Sequence, residues 1–368
     1  MKRNIRIIVY LMILIMVISN LISCENTAGL SSQSSSEAER LLSSQSHAQL
    51  SSESSKPDIS GKGDLWADKR LRVGYIGQGA DGNWYTTVHN KLKDSAQQFN
   101  VNLTFYDGQG KQELQKEYLL ELIEEDVDII GITVATSQGW DEIFTKVKEA
   151  GIPIILIGKA IDSNNEALWD AIITPDYRNE GQMVGEWLIN YLKKNNKLEE
   201  QYSFVELTGT TGATITLERD KGFSEIINSY NNIEKIYSKN CDFSTTLAYN
   251  AMSNILQETT DIDILFCHND YMSLGAIQAI EEAGLVPGED IIIISIEGTN
   301  AALKAIVEGK IACSVECNPM MGDLFMEACV RLANGETIER EIHPVDRVFD
   351  ITNAQAEIDY RKLKGYGY

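Results

Sequence analysis

The stretch "DIDILFCHNDYMSLGAIQAIEEAGLVPGEDIIIISIEG", residues 261–298, decides the fold class of this chain. It opens with a short apolar run, continues through the helix-like segment "NDYMSLGAIQAIEEAG", and ends in a second apolar run. A strand, a helix and a strand in direct succession predict a βαβ unit with parallel strands. Because runs such as "IIIIS" are apolar throughout, we expect these strands to be buried on both faces.

The same alternation extends over most of the chain and occurs twice. Five apolar runs between residues 71 and 175 alternate with helix-like stretches, and the order restarts at residue 202. We therefore predict an α/β protein of two doubly wound parallel-sheet lobes, with helices on both faces of each sheet. Ligands bind at the carboxyl ends of such strands, so a ligand cleft is expected between the lobes.

The first residues predict export from the cytoplasm. Three of the first six residues are basic, residues 7–18 are apolar, and "LISC" ends at Cys24. This is the pattern of a secretory signal, here 1–23, and cysteine at the first mature position predicts lipid attachment through its thiol. An uncleaved membrane anchor is the alternative, for which the apolar run is short. Both readings place the rest of the protein outside the cytoplasm, and lipidation predicts a protein anchored to the cell membrane.

Residues 24–68 predict a disordered, Ser-rich tether between the lipid and the folded protein. The segment is rich in Ser, Gln and Glu and shows no sustained apolar period, so it cannot bury enough surface to fold. The whole chain carries a formal net charge of -22, which would repel a phosphate backbone. We therefore exclude nucleic acid as a partner.

A glycine pattern near the start of the first lobe resembles a dinucleotide-binding fingerprint. Residues 77–82, "GQGADG", match G-x-G-x-x-G after a predicted strand. Bulky residues follow directly, where a dinucleotide site needs bare backbone for the phosphates. The chain also lacks a P-loop, a G-x-S-x-G elbow and an H-E-x-x-H motif. We predict no cofactor and no catalytic activity.

The cysteines predict neither a metal site nor a complete set of disulfides. If Cys24 carries lipid, five of the six cysteines remain, and an odd number cannot all pair within the chain. Cys313 and Cys317 have no His or second Cys pair nearby at zinc-binding spacing, which disfavours a metal site.

Side chains at the predicted strand ends combine aromatic rings, carboxylates, amides and cations. Sugars need this mixture, because their C–H faces stack on rings and each hydroxyl takes a donor and an acceptor. The candidate ligand-binding residues are Asn83, Trp84, Tyr85, Thr133, Trp140, Lys159, Arg219, Asp242, Phe243, Asn269, Glu297 and Glu316.

Some residues at the predicted strand ends also have purely structural interpretations. Trp140 fits a helix start that packs on the core. Asp270 fits an N-cap for a helix that begins near Tyr271. Arg219 beside Asp220 fits a surface ion pair of little energetic value.

Motifs along residues 70–368 resemble the sugar-binding proteins of bacterial ABC importers, of the ribose/galactose type, and most of all their galactofuranose-binding branch. The shared motifs are "GNW" at 82–84, "DGQGKQ" at 107–112, "GW" at 139–140, "ELTGTTGA" and "ERDKGF" at 206–223, "HNDYMSLGAIQAIEEAGLVPG" at 268–288, "SIEG" at 295–298 and "SVECNP" at 314–319. The resemblance implies the type I periplasmic-binding-protein fold, with lobes joined by three hinge crossovers near 174–177, 315–318 and 347–349.

The resemblance also implies lobe limits and residue roles. It implies an N-terminal lobe of 69–175 with 318–347, and a C-terminal lobe of 176–317 with 348–368. Trp84 would stack on the sugar with Tyr85 beside it. The hydroxyl-binding residues of the second lobe would be Arg219, Asn269 and Glu297, and Asp242 and Phe243 would lie at the cleft wall.

Three positions depart from the family pattern. Tyr85 replaces the Arg of a galactofuranose binder, Gly158-Lys159 replaces an Asp-Arg pair, and Glu297 replaces the usual Asp.

The resemblance implies a monomeric receptor that closes on a monosaccharide and delivers it to a membrane permease with a separate ATPase. Three alternatives give the protein a role other than transport. One is a receptor for a sensor kinase or chemotaxis system. Another is an extracytoplasmic glycoside hydrolase that uses Glu297 and Glu316. The last is a transcription regulator of the same fold, which the signal segment disfavours.

Overall fold

The computed structural model describes residues 70–79 and 83–367. The predicted signal segment, Cys24 and the tether lie outside these residues and stay predictions. Within the described part of the chain, no helix is long and apolar enough to cross a membrane.

Twelve strands form two sheets in the described residues. The strands are β1 (Arg72–Gly77), β2 (Asn102–Asp107), β3 (Ile129–Ile132), β4 (Ile154–Ile157), β5 (Ala171–Ile173), β6 (Tyr202–Thr208), β7 (Ile233–Asn240), β8 (Ile264–Cys267), β9 (Ile292–Glu297), β10 (Cys313–Glu316), β11 (Glu341–Ile342) and β12 (Val348–Asp350). The first sheet has the order β11-β5-β4-β3-β1-β2, and the second has the order β12-β10-β9-β8-β6-β7. The two sheets therefore repeat one topology, as the doubled sequence pattern predicts.

All neighbouring strands pair in parallel except one pair at the edge of the second sheet. There β12 runs antiparallel to β10, with Ser314 opposite Phe349. This differs from the prediction of purely parallel sheets. The physical reason is the short connection from the first sheet, which returns the chain beside β10 without a crossover helix.

Ten helices cover the faces of the two sheets in this part of the chain. They are α1 (Asn83–Gln98), α2 (Gln112–Glu124), α3 (Asp141–Glu149), α4 (Tyr177–Lys194), α5 (Thr214–Ile227), α6 (Thr245–Glu258), α7 (Asp270–Glu282), α8 (Asn300–Val307), α9 (Gly322–Ala333) and α10 (Ala354–Lys364). Helices on both faces leave the central strands without solvent contact, and every residue of β3, β4, β8 and β10 is buried. The prediction of strands buried on both faces is confirmed.

The N-cap of α7 is Asn269. The Asn269 side chain accepts the backbone N–H of Met272, so Asn269 and not Asp270 caps this helix. Asp270 is fully buried, where the hydroxyls of Ser295 and Ser314 donate to its carboxyl. The predicted cap at Asp270 is therefore wrong by one residue, because the Asn269 amide caps the helix while the Asp270 carboxyl points inward.

The chain passes between the two sheets three times. It leaves the first sheet after β5 through residues 174–176, returns after β10 through 317–321, and crosses again through 343–347 between β11 and β12. The predicted α/β class, with two parallel-sheet lobes and three crossovers, is confirmed. The second and third crossovers differ from the predicted 315–318 and 347–349, because 315–316 end β10 and 348–349 belong to β12. The proposed lobe limits stay a prediction.

Five cysteines lie in the described residues, and all five have free, buried thiols: Cys241, Cys267, Cys313, Cys317 and Cys329.

Candidate functional site

The first wall of the candidate site is built where β1 ends and α1 begins. Trp84 and Tyr85 are half-buried, and their rings meet edge to face with centroids 4.9 Å apart. Both rings lie against Gly158, where an added Cβ atom would sit 3.6 Å from Trp84 and 3.8 Å from Tyr85. Gly158 has a φ of +76°, a conformation that favours glycine.

Lys159 places a cation beside these rings. Its ammonium group donates to Gln78 Oε1 at 2.6 Å and lies 5.4 Å from the centroid of the Tyr85 ring. Gln78 is buried and was not among the predicted residues. The first wall therefore joins two aromatic rings, an amide and an ammonium group.

Two hydrogen bonds tie this wall to the crossovers. The Trp84 indole N–H donates to the carbonyl oxygen of Cys317 at 2.8 Å, within the second crossover. The Tyr177 hydroxyl donates to the carbonyl oxygen of Gly158 at 3.3 Å, and Tyr177 begins α4 directly after the first crossover. The aromatic wall is thus connected to the segments about which the lobes would move.

The second wall is organised around Arg219 on α5, whose side chain is fully buried. Its Nε donates to Glu180 Oε2 at 2.7 Å, and its Nη1 donates to the carbonyl oxygen of His268 at 2.5 Å. The guanidinium carbon lies 5.7 Å from the centroid of the Tyr177 ring. The interpretation of Arg219 as a surface ion pair with Asp220 is therefore wrong.

Glu180 is the acidic partner that the sequence analysis missed. It lies on α4 and is fully buried among Gly181, Val184 and Leu188 on the inward face of the helix. An acid within an apolar helical stripe is a signal of a buried ion pair, because such a carboxylate needs a nearby cation.

Glu297 and Asn269 lie at the ends of neighbouring strands beside Arg219. Asn269 Nδ2 is 3.5 Å from Glu297 Oε1. Glu297 has a φ of +116°, which is unusual for a residue with a side chain and is a form of local strain found at functional sites. Burial raises the pKa of its carboxyl to about 8, against the influence of Arg219, and Asp270 adds to the rise.

A second carboxyl with a raised pKa lies in the third crossover. Asp346 Oδ1 accepts the backbone N–H of Asn318 at 2.9 Å, which joins the second and third crossovers. Burial raises its pKa to about 8, and Glu180 adds to the rise. The site thus holds the carboxyl groups of Glu180, Glu297 and Asp346 near the guanidinium of Arg219. The raised pKa values of Glu297 and Asp346 favour their neutral forms.

We expect these raised values to make stability fall with rising pH. The folded state holds a proton on Glu297 up to about pH 8, whereas the unfolded state releases it near the ordinary value of 4.5. The free energy of unfolding therefore decreases over that interval. Urea unfolding at a series of pH values should show a smaller decrease for Glu297→Gln than for the wild type. Equal decreases in the two proteins would contradict the raised value.

Two predicted site residues lie in the core. Trp140 is fully buried against Phe144, and its indole N–H donates to the Thr136 carbonyl oxygen at 2.7 Å. Thr133 is also fully buried, with its hydroxyl 2.7 Å from that of Tyr75. The polar group of each side chain is bound within the first lobe, Trp140 by Thr136 and Thr133 by Tyr75, so we withdraw both from the candidate site. For Trp140, the alternative of a helix start packed on the core is confirmed.

Glu316 is also withdrawn. Its carboxyl is fully buried, and the Arg347 guanidinium donates to both of its oxygens at 2.8 Å. Arg361 lies 3.4 Å from one of these oxygens. The carboxylate is therefore committed to an ion-pair network at the second and third crossovers.

Asp242 and Phe243 lie in the loop after β7, apart from the contacts described above. Both have positive φ angles, and the Asp242 carboxyl accepts the Thr210 hydroxyl. The Phe243 ring covers Gly209, where a Cβ atom would overlap it. Their role at the cleft wall stays a prediction, as does that of Asn83, which begins α1.

The site thus brings together two predicted groups from opposite lobes. The first is Trp84, Tyr85 and Lys159, and the second is Arg219, Asn269 and Glu297. The contacts that connect them pass through Tyr177 and Cys317. Among residues 70–79 and 83–367, no group of three or more His, Cys, Asp or Glu is arranged to hold a metal ion.

Comparisons with known proteins show which family this chain resembles. Residues 73–337 match the family described as "Periplasmic binding protein domain". The galactofuranose-binding protein YtfQ of Escherichia coli (strain K12) is 32% identical over 300 residues, which cover 80% of this chain and 93% of that protein. A Mycobacterium smegmatis protein solved in complex with β-D-fucofuranose is 33% identical, with a TM-score of 0.67 over 80% of this chain and 96% of its own. The binding protein of the arabinose ABC transporter from Shewanella sp. ANA-3, bound to α- and β-L-arabinofuranose, is 30% identical, with a TM-score of 0.69 over 80% and 97%.

Proposed function

This chain belongs to the family of periplasmic binding proteins, and we propose from that premise that it is an extracytoplasmic receptor for a monosaccharide in its furanose form. The observation that carries the proposal is the pairing of the Trp84–Tyr85 wall with the Arg219–Asn269–Glu297 group through the crossovers. Aromatic rings offer a stacking surface, and the opposite group offers donors and acceptors for hydroxyls. Relatives solved with fucofuranose and arabinofuranose support the same ligand class.

The proposed ligands share one ring configuration. D-Galactofuranose, D-fucofuranose and L-arabinofuranose have matching ring hydroxyls and differ only in the carbon chain beyond the ring. In this proposal the exocyclic carbon chain of the sugar approaches the wall that carries Lys159 and Tyr85. At both of these positions the protein differs from the usual family pattern. We propose that the receptor accepts members of this series, which it would enclose by movement of the lobes at the three crossovers.

Delivery to an ABC transporter permease and its ATPase is the role that we propose for the closed receptor. In this proposal the chain is a monomer held at the membrane by lipid on Cys24. The competing role is a sugar receptor for a sensor kinase or chemotaxis system. Deletion of this chain would abolish uptake of a labelled ligand in the first case and only the regulatory response in the second.

The hydrolase alternative loses support from the structure. It needs two free carboxyl groups on either side of a glycosidic bond. Glu316 is fully buried and bound by Arg347, so it cannot serve as the partner of Glu297. We propose a binding role without catalysis.

A cognate sugar is expected to raise the melting temperature, because it binds the folded state alone. At a sugar concentration about 100 times the dissociation constant, the gain in unfolding free energy is about 2.7 kcal/mol. Thermal unfolding should be compared with D-galactose, D-fucose and L-arabinose, and D-mannitol, an acyclic polyol, is the control for non-specific stabilisation. No shift with any pentose or hexose in a broad panel would contradict the proposed function.

A further inference from the structure

The contact between α4 and α5 brings Glu180 next to Arg219. A Cβ atom at Gly181 would lie 2.2 Å from the Arg219 carbonyl oxygen, and one at Gly222 would lie 2.0 Å from that of Arg178. The two helix backbones therefore touch, and neither position accepts a larger residue without separating them. This close approach fixes the distance between the Glu180 and Arg219 side chains.

Contacts on several sides hold the Arg219 guanidinium. Glu180 binds Nε, the His268 carbonyl binds Nη1, and the Tyr177 ring lies on one face. The remaining nitrogen, Nη2, is buried and has no hydrogen-bond partner among the described residues. The Glu297 carboxyl lies near enough to influence the pKa of Arg219. The unpartnered Nη2 is therefore a donor that Arg219 can offer to a ligand.

The carbonyl that binds Nη1 is itself held in place. The His268 ring lies 3.0 Å from Glu206 Oε1, and the Lys235 ammonium donates to Glu206 Oε2 at 2.8 Å. The His268 backbone N–H also donates to the Leu207 carbonyl at 3.0 Å, so the His268 carbonyl is a fixed acceptor for Nη1. Without Glu180 the guanidinium would keep this contact and could pivot about it, so Glu180 is the charged contact that completes its orientation. The planar fork presents different nitrogens as it rotates, so its orientation decides which ligand atom it meets.

We propose that Glu180 is a positioning residue that determines, through Arg219, which sugar hydroxyl the receptor requires. This inference rests on the proposed sugar-binding function. A buried donor aimed at one hydroxyl discriminates strongly against an analogue that lacks it, because the donor then loses its partner. A guanidinium released from Glu180 would turn to other acceptors and lose that discrimination.

The test compares affinities for one sugar and its deoxy analogues. The probes are D-galactose, 2-deoxy-D-galactose, 3-deoxy-D-galactose, D-fucose and L-arabinose, each measured by isothermal titration calorimetry. The quantity compared is the ratio of the dissociation constant of the analogue to that of D-galactose, each based on the concentration of the furanose form. In the wild type we expect a ratio of about 10 to 100 for the analogue that lacks the hydroxyl group bound by Arg219. The Arg219→Met variant identifies that analogue, because the ratio for that analogue falls to about one in this variant.

Variants of Glu180 then separate positioning from folding. Glu180→Met is expected to lower the same ratio at least about fivefold, and the Glu180→Met, Arg219→Met double variant should match Arg219→Met alone. Glu180→Asp retains the charge for folding but shortens the side chain, so it gives the test if Glu180→Met does not fold. Glu180→Gln retains an acceptor for Nε and should keep a ratio close to that of the wild type.

The chain offers a matched control in the same pair of helices. Arg178 Nε donates to Glu225 Oε2 at 3.0 Å, so Glu225→Gln weakens a surface contact between α4 and α5 away from Arg219. It should leave every ratio unchanged. The inference is overturned if folded Glu180→Met or Glu180→Asp keeps the wild-type ratio, or if Arg219→Met changes none of the ratios. Neither result contradicts the proposed sugar binding. If the wild type binds none of these sugars nor any in the broad panel, the proposed function fails, and the inference fails with it.

Discussion

Replacing Trp84 with alanine is expected to weaken sugar binding by about 30- to 300-fold, the range found for a central aromatic contact. Two losses combine. The ring surface beside Tyr85 and Gly158 disappears, and so does the 2.8 Å hydrogen bond from the indole to the Cys317 carbonyl. The second loss separates the aromatic wall from the crossover between the lobes. Calorimetric titration with the sugar that stabilises the wild type measures the change.

Two further variants make this prediction specific. Trp84→Phe retains an aromatic ring but has no indole N–H, so its affinity should lie between those of the wild type and Trp84→Ala. Trp140→Ala removes a fully buried ring beside Phe144 and should lower the free energy of unfolding by about 3 to 5 kcal/mol. The folded fraction of Trp140→Ala should bind sugar within about twofold of the wild type. Wild-type affinity in Trp84→Ala would contradict the proposed aromatic wall.

The two tryptophans also show where sequence reasoning reaches its limit. Both were predicted to face the cleft because both follow a strand-like run at the start of a helix. The pattern identifies the edge of the sheet at which a residue lies, and it did so correctly for both. It cannot say whether the ring turns toward the cleft or toward the core, because that depends on side chains from other elements, such as Phe144.

The fold itself was predictable from periodicity. Apolar runs of strand length that alternate with amphipathic stretches specify a parallel α/β sheet, and the second occurrence of that order specifies the second lobe. The antiparallel β12 was not predictable, because three residues give no measurable period and their pairing depends on where the third crossover returns the chain.

The ion pairs of the site were the least accessible to prediction. Glu180 is 39 residues from Arg219 in the sequence, and Glu316 is 31 residues from Arg347. Charged residues at such separations meet only after the helices and crossovers have packed. The sequence therefore marks Arg219 and Glu316 as ligand-binding candidates, with a surface pair to Asp220 as the alternative for Arg219. It does not reveal that Glu180 binds Arg219 or that two arginines lie against Glu316.

The network around Glu316 connects the second crossover, the third crossover and the C-terminal helix α10. Arg347 binds the carboxyls of both Glu316 and Glu357, and Glu357 also accepts a hydrogen bond from Arg361 at 2.8 Å. Arg361 is almost fully buried and donates through Nη1 to the Gly298 carbonyl at 2.7 Å, directly after Glu297. The network thus links the crossovers to the strand end that carries a ligand-binding candidate.

Replacing Glu316 with glutamine is therefore expected to lower the free energy of unfolding by about 3 to 5 kcal/mol, because two arginines, one of them buried, are left with the Glu357 carboxylate alone. Urea unfolding gives the measurement, and Glu308→Gln, which removes the exposed pair with Lys310, should cost less than about 1 kcal/mol. Sugar affinity of the folded Glu316→Gln protein should stay within about threefold of the wild type, since this carboxyl stabilises the crossovers without touching the ligand. An affinity loss of more than about tenfold at unchanged stability would instead make Glu316 a ligand-binding residue, as its position at a strand end first suggested.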